Sequence, residues 1–344
     1  MLLASNLKKY KVIFSKNNIN VKKIKNSIHI VDKKVFFLHK KIFKNKNNII
    51  LIDANEKNKD FSNISNVIKK IIEHNAKKNT TLIVIGGGII QDISCFISSV
   101  LFRGIKWVYY PTTLLSQADS CIGSKSSINF QFKKNLIGTF NPPDSIYVNF
   151  NFLNSLNQKD INSGIGEILK CAIIKNKSKF IKEKDRYIKL ILENKEMNNF
   201  IIHSLLIKKK IVELDEFDQG PRKIMNYGHT FGHALEAVSK YKIPHGIAIT
   251  IGMDLANFIS KELGFITNID FNRMHEVLFL NYKNFSKIEI DLSDYFNKLS
   301  NDKKNTEKKF FNCVLLKNNN LILKKMPLDH QLKIYIKNFF KIIN

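Results

Sequence analysis

Cysteine is scarce in this chain of 344 residues: there are four, and none belongs to a C-x-x-C pair. Cys95, Cys121, Cys171 and Cys313 stand apart from one another, which argues against a disulfide framework and predicts reduced thiols in a cytoplasmic protein. Long apolar runs are missing too; none reaches the ~18 residues that would span a bilayer, so no membrane partner is expected. The first stretch, MLLASNLKKYKVIF, lacks an adequate hydrophobic segment and a cleavage site, and predicts no secretory leader. No internal repeat and no low-complexity segment is found. Acidic residues are few: 29 Asp and Glu against 56 Lys and Arg leave a formal charge of +27. Such an excess raises nucleic-acid or membrane-surface binding. The lysines, however, are spread along the whole chain among Asn and Ile, and aromatic residues do not interleave with them. The charge is therefore read as a surface lysine drift that excludes neither class outright and favours anionic substrates.

The length allows two domains, each with its own core. KVIF, SIHIV, NIILID, TLIVIGGG, WVYYP and SIYVN are strand candidates over the first ~150 residues. SNISNVIKKIIEH reads as an amphipathic helix with a serine cap. This alternation predicts an α/β fold with parallel pairing. After ~155 the pattern becomes mainly helical, with one strand pair near FFNCVLLKNNNLILKK. The expected organisation is a Rossmann-like nucleotide-binding domain over residues 1–150, followed by a mainly α-helical metal- and substrate-binding domain over 151–344.

Glu167 and Lys170 lie three residues apart in GEILK; His229 and His233 lie four apart in NYGHTFGH, and His245 follows in PHG. Spacings of three and four place side chains on one helix face. A carboxylate with two or three imidazoles suits a catalytic Zn²⁺ with an open position, and the lysine adds a charge beside it. Alone, Glu167–Lys170 is equally an ordinary helix ion pair, and a lone histidine is more often a packed residue than a ligand. Gly86, Gly87 and Gly88 sit between an apolar strand and a helix, where backbone N–H groups can approach a pyrophosphate. The match to G-x-G-x-x-G is incomplete, because Gln91 stands at the third glycine, and a tight turn needing no ligand fits as well. Asp32 and Glu56 are candidate ribose partners. The long polar stretch 111–145 holds Thr112, Thr113, Asp119, Lys125, Lys134 and Asn135, types that bind phosphate and sugar hydroxyls, and is read as a site rather than a plain surface loop.

Taken in order, GGGIIQD, RGIKWVYYPTTLLSQADSCIGSK, KNLIGTF, GEILK, NYGHTFGHALEA and HG resemble the 3-dehydroquinate synthase family over roughly residues 50–305. The resemblance implies a lyase of the shikimate pathway that uses NAD and zinc, with cobalt as an alternative metal. Its reaction converts 3-deoxy-D-arabino-heptulosonate 7-phosphate to 3-dehydroquinate and phosphate by transient oxidation, β-elimination, re-reduction, ring opening and aldol closure. Position by position, it implies Glu167, His229 and His245 as metal ligands, and Lys170, His233, Asp119, Lys125, Asn135 and Arg222 as catalytic residues. Substrate contacts are implied for Arg103, Lys134, Lys208, Asn226 and one of Lys303 and Lys304. NAD contacts are implied for Glu56, Lys59, Gly88, Ile89, Ile90, Gln91, Asp92, Thr112, Thr113, Lys125, Lys134, Phe152, Leu153, Asn154 and Ser155. Arg103 matches an arginine that reaches a neighbouring subunit, which implies a homodimer.

Three departures from the family pattern bear on activity. Ser124 stands where a glycine is usual, Ile247 replaces the acid of the common HGE and removes a polar group near the third ligand, and Pro221 precedes Arg222. Rival readings are another NAD- and metal-dependent sugar-phosphate cyclase, which would not need Lys208 and Arg222 for a substrate carboxylate, and a polyol dehydrogenase, which would not need Lys125. A nucleic-acid-binding protein on a decayed enzyme scaffold is the third, and predicts a steep salt dependence.

Overall fold

The computed structural model describes residues 1–44, 46–131, 133–287, 289–300 and 310–343. They form two compact units: residues 1–157 with 208–217, and residues 158–207 with 218–344.

The first unit is built on a seven-stranded sheet. Its strands are β1 (Leu2–Leu3), β2 (Tyr10–Ser15), β3 (Ser27–Asp32), β4 (Ile49–Ile52), β5 (Thr81–Gly86), β6 (Lys106–Pro111) and, after the hairpin β7 (Ile128–Phe130) and β8 (Lys133–Ile137), β9 (Ser145–Asn149). The order is β1-β2-β9-β6-β5-β3-β4, parallel throughout except for β1 against β2. All the strand candidates of the N-terminal region are strands. Every residue of β5 is buried, as expected of a central parallel strand covered on both faces. Helices α1 (Lys33–Leu38), α2 (Phe61–Glu73) and α3 (Gly88–Val100) connect the strands. On one side Val31, Ile83, Ile85, Val108 and Phe152 form a core cluster. Helix α2 buries Ile64, Val67 and Ile71, but its cap differs from the serine expected: Asp60 accepts from Ser62 N at 3.0 Å and from Ser62 Oγ at 2.6 Å. An ionised carboxylate accepts at a helix start more strongly than a hydroxyl, which wins the cap for the aspartate. The polar stretch 111–145 is not a plain loop; it folds into a short π-helical turn at Ser116–Ser120 and the β7–β8 hairpin.

The second unit is mainly helical. It contains α4 (Gln158–Lys175), α5 (Lys177–Lys182), α6 (Lys184–Glu193), the first part of α7 (Met197–Leu214), α8 (His229–Val238), α9 (His245–Glu262), α10 (Asn268–Tyr282), α11 (Leu292–Ser300) and α12 (His330–Ile343). The expected strand pair is the antiparallel hairpin β10 (Phe310–Lys317) and β11 (Asn320–Pro327). Helix α9 is buried along almost its whole length and packs against α4, α8 and α10, so it is the axis of this unit. Among the described residues no helix is long and apolar enough to cross a membrane.

Candidate active site

Helix α4 carries Glu167 and Lys170, α8 carries His229 and His233, and His245 is the first residue of α9. Because α4 and α8 both pack on α9, these side chains meet in the second unit. Glu167 Oε1 lies 3.3 Å from His245 Nε2 and 3.9 Å from His229 Nε2. Ring nitrogens of His229, His233 and His245 all lie within 4.8 Å of one another. Bonds of 2.0–2.1 Å to a tetrahedral Zn²⁺ place neighbouring donors ~3.3 Å apart, so a carboxylate and imidazoles at these separations fit a divalent ion. Glu167 and Lys170 are almost fully buried and form an ion pair. Burial alone would raise the Glu167 carboxyl; the Lys170 ammonium and His245 overcome it and hold the group ionised, below the usual carboxylate range. His245 moves the other way. Burial lowers it, but Glu236 and Glu167 raise it above the usual imidazole range, so an incoming metal must displace a proton.

The glycines of these motifs have a packing role. A Cβ on Gly246 would lie 1.7 Å from Ser163 O, and one on Gly166 would lie 2.1 Å from Gly246 O. Helices α4 and α9 therefore touch backbone to backbone beside Glu167 and His245, and Gly246 N donates to Ser163 Oγ at 3.0 Å. The α8–α9 contact is as close: a Cβ on Gly252 would lie 2.1 Å from Gly228 O, and one on Gly232 would lie 2.8 Å from Ala248 O. Small residues at these crossings bring the donors within reach of one ion.

In the first unit, residues 86–88 form the turn from the carboxyl end of β5 into α3. Gly86 and Gly87 are demanded by packing, since their Cβ atoms would lie 2.7 Å from Ile90 and 2.9 Å from Thr113. Gly88 is different; a Cβ there would meet only Ser120 Oγ at 3.8 Å. Among the described residues no side chain caps the start of α3, and the N-terminus of a helix favours an anionic phosphate. Ile90 is buried and Ile89 half-buried, and Gln91 is tied to Ser120 by two bonds of 2.7 and 2.8 Å. Thr112 N bonds Gly86 O at 3.0 Å, and Thr113 Oγ1 bonds Ser116 Oγ at 2.9 Å.

Other expected residues gather near the hairpin. Lys59 bridges Asp92 at 2.6 Å and Asn135 Oδ1 at 2.8 Å, while Lys134 pairs with Glu56 at 3.1 Å. Burial raises the Asp92 carboxyl despite Lys59. The Glu56 carboxyl also feels burial, yet Asn129, Lys59 and Lys134 together hold it low. Lys208 bonds Asp119 through both its side chain (3.0 Å) and its carbonyl (2.8 Å). Lys125 lies 5.9 Å from the centre of the Phe140 ring. Phe152 is a core residue, whereas Leu153, Asn154 and Ser155 lie at or near the surface of the same 3₁₀ turn. Asp32 caps α1, accepting from Lys34 N at 2.9 Å. Arg103 is exposed in a left-handed turn in which Phe102, Arg103 and Gly104 have φ of 50°, 58° and 106°. Arg222 and Asn226 belong to the second unit, with Arg222 buried. Lys303 and Lys304 lie outside the described residues.

The three departures find local answers. Ser124 adopts the glycine-like conformation (φ 64°) and donates to buried Glu216 at 2.9 Å. Pro221 is the first residue of the 3₁₀ turn Pro221–Asn226, where a missing N–H costs nothing. Ile247 is fully buried, and the carboxylate beside His245 comes from α8: Glu236 Oε2 lies 3.2 Å from His245 Nδ1. Sequence reasoning missed both Glu236 and Glu216. Glu236 had a signal, lying three residues after His233 on the face of the same helix that carries the two histidines. Glu216 had none; its partners Ser5, Asn6 and Ser124 are about ninety or more positions away in sequence.

The chain is similar to known proteins along most of its length. Residues 49–163 match the model of the 3-dehydroquinate synthase N-terminal domain, and residues 164–305 that of its C-terminal domain. The 3-dehydroquinate synthase of Dictyoglomus turgidum is 39% identical over 264 residues, covering 75% of this chain and 73% of that protein. That of Clostridium tetani is 34% identical over 299 residues, covering 84% and 78%. Among solved structures, a 2-deoxy-scyllo-inosose synthase complexed with carbaglucose-6-phosphate, NAD⁺ and Co²⁺ shares the fold with a TM-score of 0.81, at 20% identity over 99% of both chains. A 2-epi-5-epi-valiolone synthase from Streptomyces hygroscopicus with NAD⁺ and Zn²⁺ bound does so with a TM-score of 0.84, at 18% identity over 98% of this chain and 99% of that one. With both family domains matched in order and relatives above 30% identity along most of their length, the chain belongs to the 3-dehydroquinate synthase family.

Proposed function

We propose that this chain is a cyclising carbon–oxygen lyase that converts 3-deoxy-D-arabino-heptulosonate 7-phosphate to 3-dehydroquinate and phosphate. In this reading the first unit binds NAD at the β5–α3 turn and the second binds a divalent metal through Glu167, His229 and His245. The observation that carries it is the donor set, buried Glu167 with half-buried His229 and His245, in which Glu167 Oε1 lies 3.3 Å from His245 Nε2 and 3.9 Å from His229 Nε2, in a member of this family. When bound, the metal supplies Lewis-acid polarisation of a hydroxyl and NAD a transient hydride acceptor.

The chain's own groups bind, orient and move protons. His233, with its ring centre 5.2 Å from that of His229, is placed to exchange a proton beside the metal position. Lys170 holds Glu167 ionised and oriented. Lys208, Arg222 and Asn226 supply contacts for the anionic ends of the substrate, and Asp119, Lys125, Lys134 and Asn135 for its hydroxyl and phosphate groups. Orientation of this kind is worth ~7–11 kcal/mol in favourable intramolecular reactions. Arg103 is exposed, and its match to an arginine that in the family reaches a neighbouring subunit is the ground for reading the chain as a homodimer. Which metal is loaded follows from availability, since the donor set accepts Zn²⁺ or Co²⁺.

Phosphate release from the heptulosonate phosphate by purified protein tests the proposal. It should require both NAD⁺ and metal, stop on chelation, resume on metal addition and yield dehydroquinate. Folded, metal-loaded protein that releases no phosphate with NAD⁺ present overturns it.

A further inference from the structure

Each metal-facing histidine has a second ring nitrogen, and what that nitrogen meets decides how the ring can act. For His229 it meets the carbonyl of Tyr227, with Nδ1 3.2 Å from the oxygen. For His245 it meets a carboxylate, with Nδ1 3.2 Å from Glu236 Oε2. A carbonyl and an ionised carboxylate only accept, so both Nδ1 atoms carry the proton. With a metal bound, the rings present their lone pairs on Nε2, the atoms that lie 3.9 and 3.3 Å from Glu167 Oε1. Glu236 is largely shielded, with 13% of its side chain exposed. It follows His229 and His233 on one face of α8, so one short helix presents two imidazoles and the group that aims the third.

We infer that Glu236 is a positioning residue of the metal centre: it fixes the Nδ1–H tautomer and the ring orientation of His245, and its charge makes that imidazole a stronger donor. The inference rests on the reading of Glu167, His229 and His245 as metal ligands. It differs for the two histidines, because His229 is aimed by a neutral carbonyl that no side-chain substitution removes, whereas His245 depends on a replaceable carboxylate. Groups that aim a metal-binding histidine typically contribute a factor of ~10–100 in affinity.

The test uses the metal-free full chain, with Zn²⁺ competed against a chromophoric chelator and Co²⁺ read by its visible absorption. Glu236→Ala should bind Zn²⁺ ~10–100-fold more weakly and alter the Co²⁺ spectrum. Glu236→Gln, whose amide oxygen can still accept from Nδ1 but carries no charge, should fall between Glu236→Ala and the parent. A merely structural role predicts a lowered Tm in Glu236→Ala with affinity and spectrum unchanged. Affinity within threefold of the parent overturns the inference. If Glu236→Ala does not fold, Glu236→Gln decides: at least threefold weaker binding with an unaltered Tm supports the role, and parental affinity overturns it. A parent that fails to bind one ion per chain overturns the metal-centre reading itself, an outcome distinct from failure of the Glu236 role.

Discussion

Replacing Gly246 with alanine puts the backbone contact between α4 and α9 to a direct test. The added Cβ would lie 1.7 Å from Ser163 O, whereas real Cβ contacts essentially never fall below 3.0 Å. The neighbour is backbone rather than a pliable side-chain end, so the helices must part locally by about 1.3 Å, the difference between those two distances. The 3.0 Å hydrogen bond from Gly246 N to Ser163 Oγ stretches with them. Overpacking of this kind costs about 1–3 kcal/mol and the bond about 1 kcal/mol more. The functional consequence is larger than the loss of stability. Gly246 adjoins His245 and Gly166 adjoins Glu167, so the displacement acts on a 3.3 Å donor separation that already matches the ~3.3 Å span of a tetrahedral ion. Zinc affinity, read by chelator competition, should fall by two orders of magnitude or more, with a comparable loss of turnover, since a misplacement of ~1 Å costs about 100-fold. Urea unfolding should show a loss of ~2–4 kcal/mol. Gly264→Ala is the control: with φ of +69° and nothing within 4 Å it carries conformational strain alone, and should leave metal affinity intact. A Gly246→Ala protein with parental zinc affinity would refute the argument that this crossing sets the ligand spacing.

Gly88→Ala should leave stability unchanged or raised by up to ~1 kcal/mol, because alanine is the better helix former and the nearest atom would be 3.8 Å away, while NAD⁺ binding measured by calorimetry weakens at least tenfold. Ser124→Ala should lose ~1–3 kcal/mol in urea unfolding, as it keeps the left-handed strain but loses the bond to Glu216; Ser124→Gly should lose less, because glycine relieves ~1–2 kcal/mol of that strain. Burial, with Lys46 nearby, lowers buried His29 in β3 to about 4. The unfolded chain takes up this proton near pH 6.5 and the folded chain only near 4, so stability is full above about pH 7 and falls as pH drops through that window. By pH 5 the loss is ~2 kcal/mol, and pH-dependent unfolding of His29→Leu should lack it.

Much of the fold was legible because its signals are local. The β-branched runs became strands, the mostly apolar TLIVIG became a fully buried one, and the spacings Glu167–Lys170 and His229–His233 became helix faces, since periodicity is a property of neighbouring residues. The cap of α2 was misread because Asp60 and Ser62 both offer an oxygen to the same turn, and only the folded backbone shows which one accepts. The motif glycines were visible as letters but not as contacts; that Gly246 meets Ser163 O depends on a helix crossing joining residues more than eighty positions apart.

The sequence by itself determined the element order, the candidate ligand types and the family to which their order belongs. Only the tertiary structure decided that Glu236 rather than residue 247 supplies the carboxylate at His245, that Ser124 keeps its glycine-like turn by bonding Glu216, and that Gly88, unlike Gly86 and Gly87, has room for a Cβ. The reason is physical. Periodicity and capping arise within a few residues of chain, whereas hydrogen-bond partners and steric room are set by which distant segments packing brings to the same place.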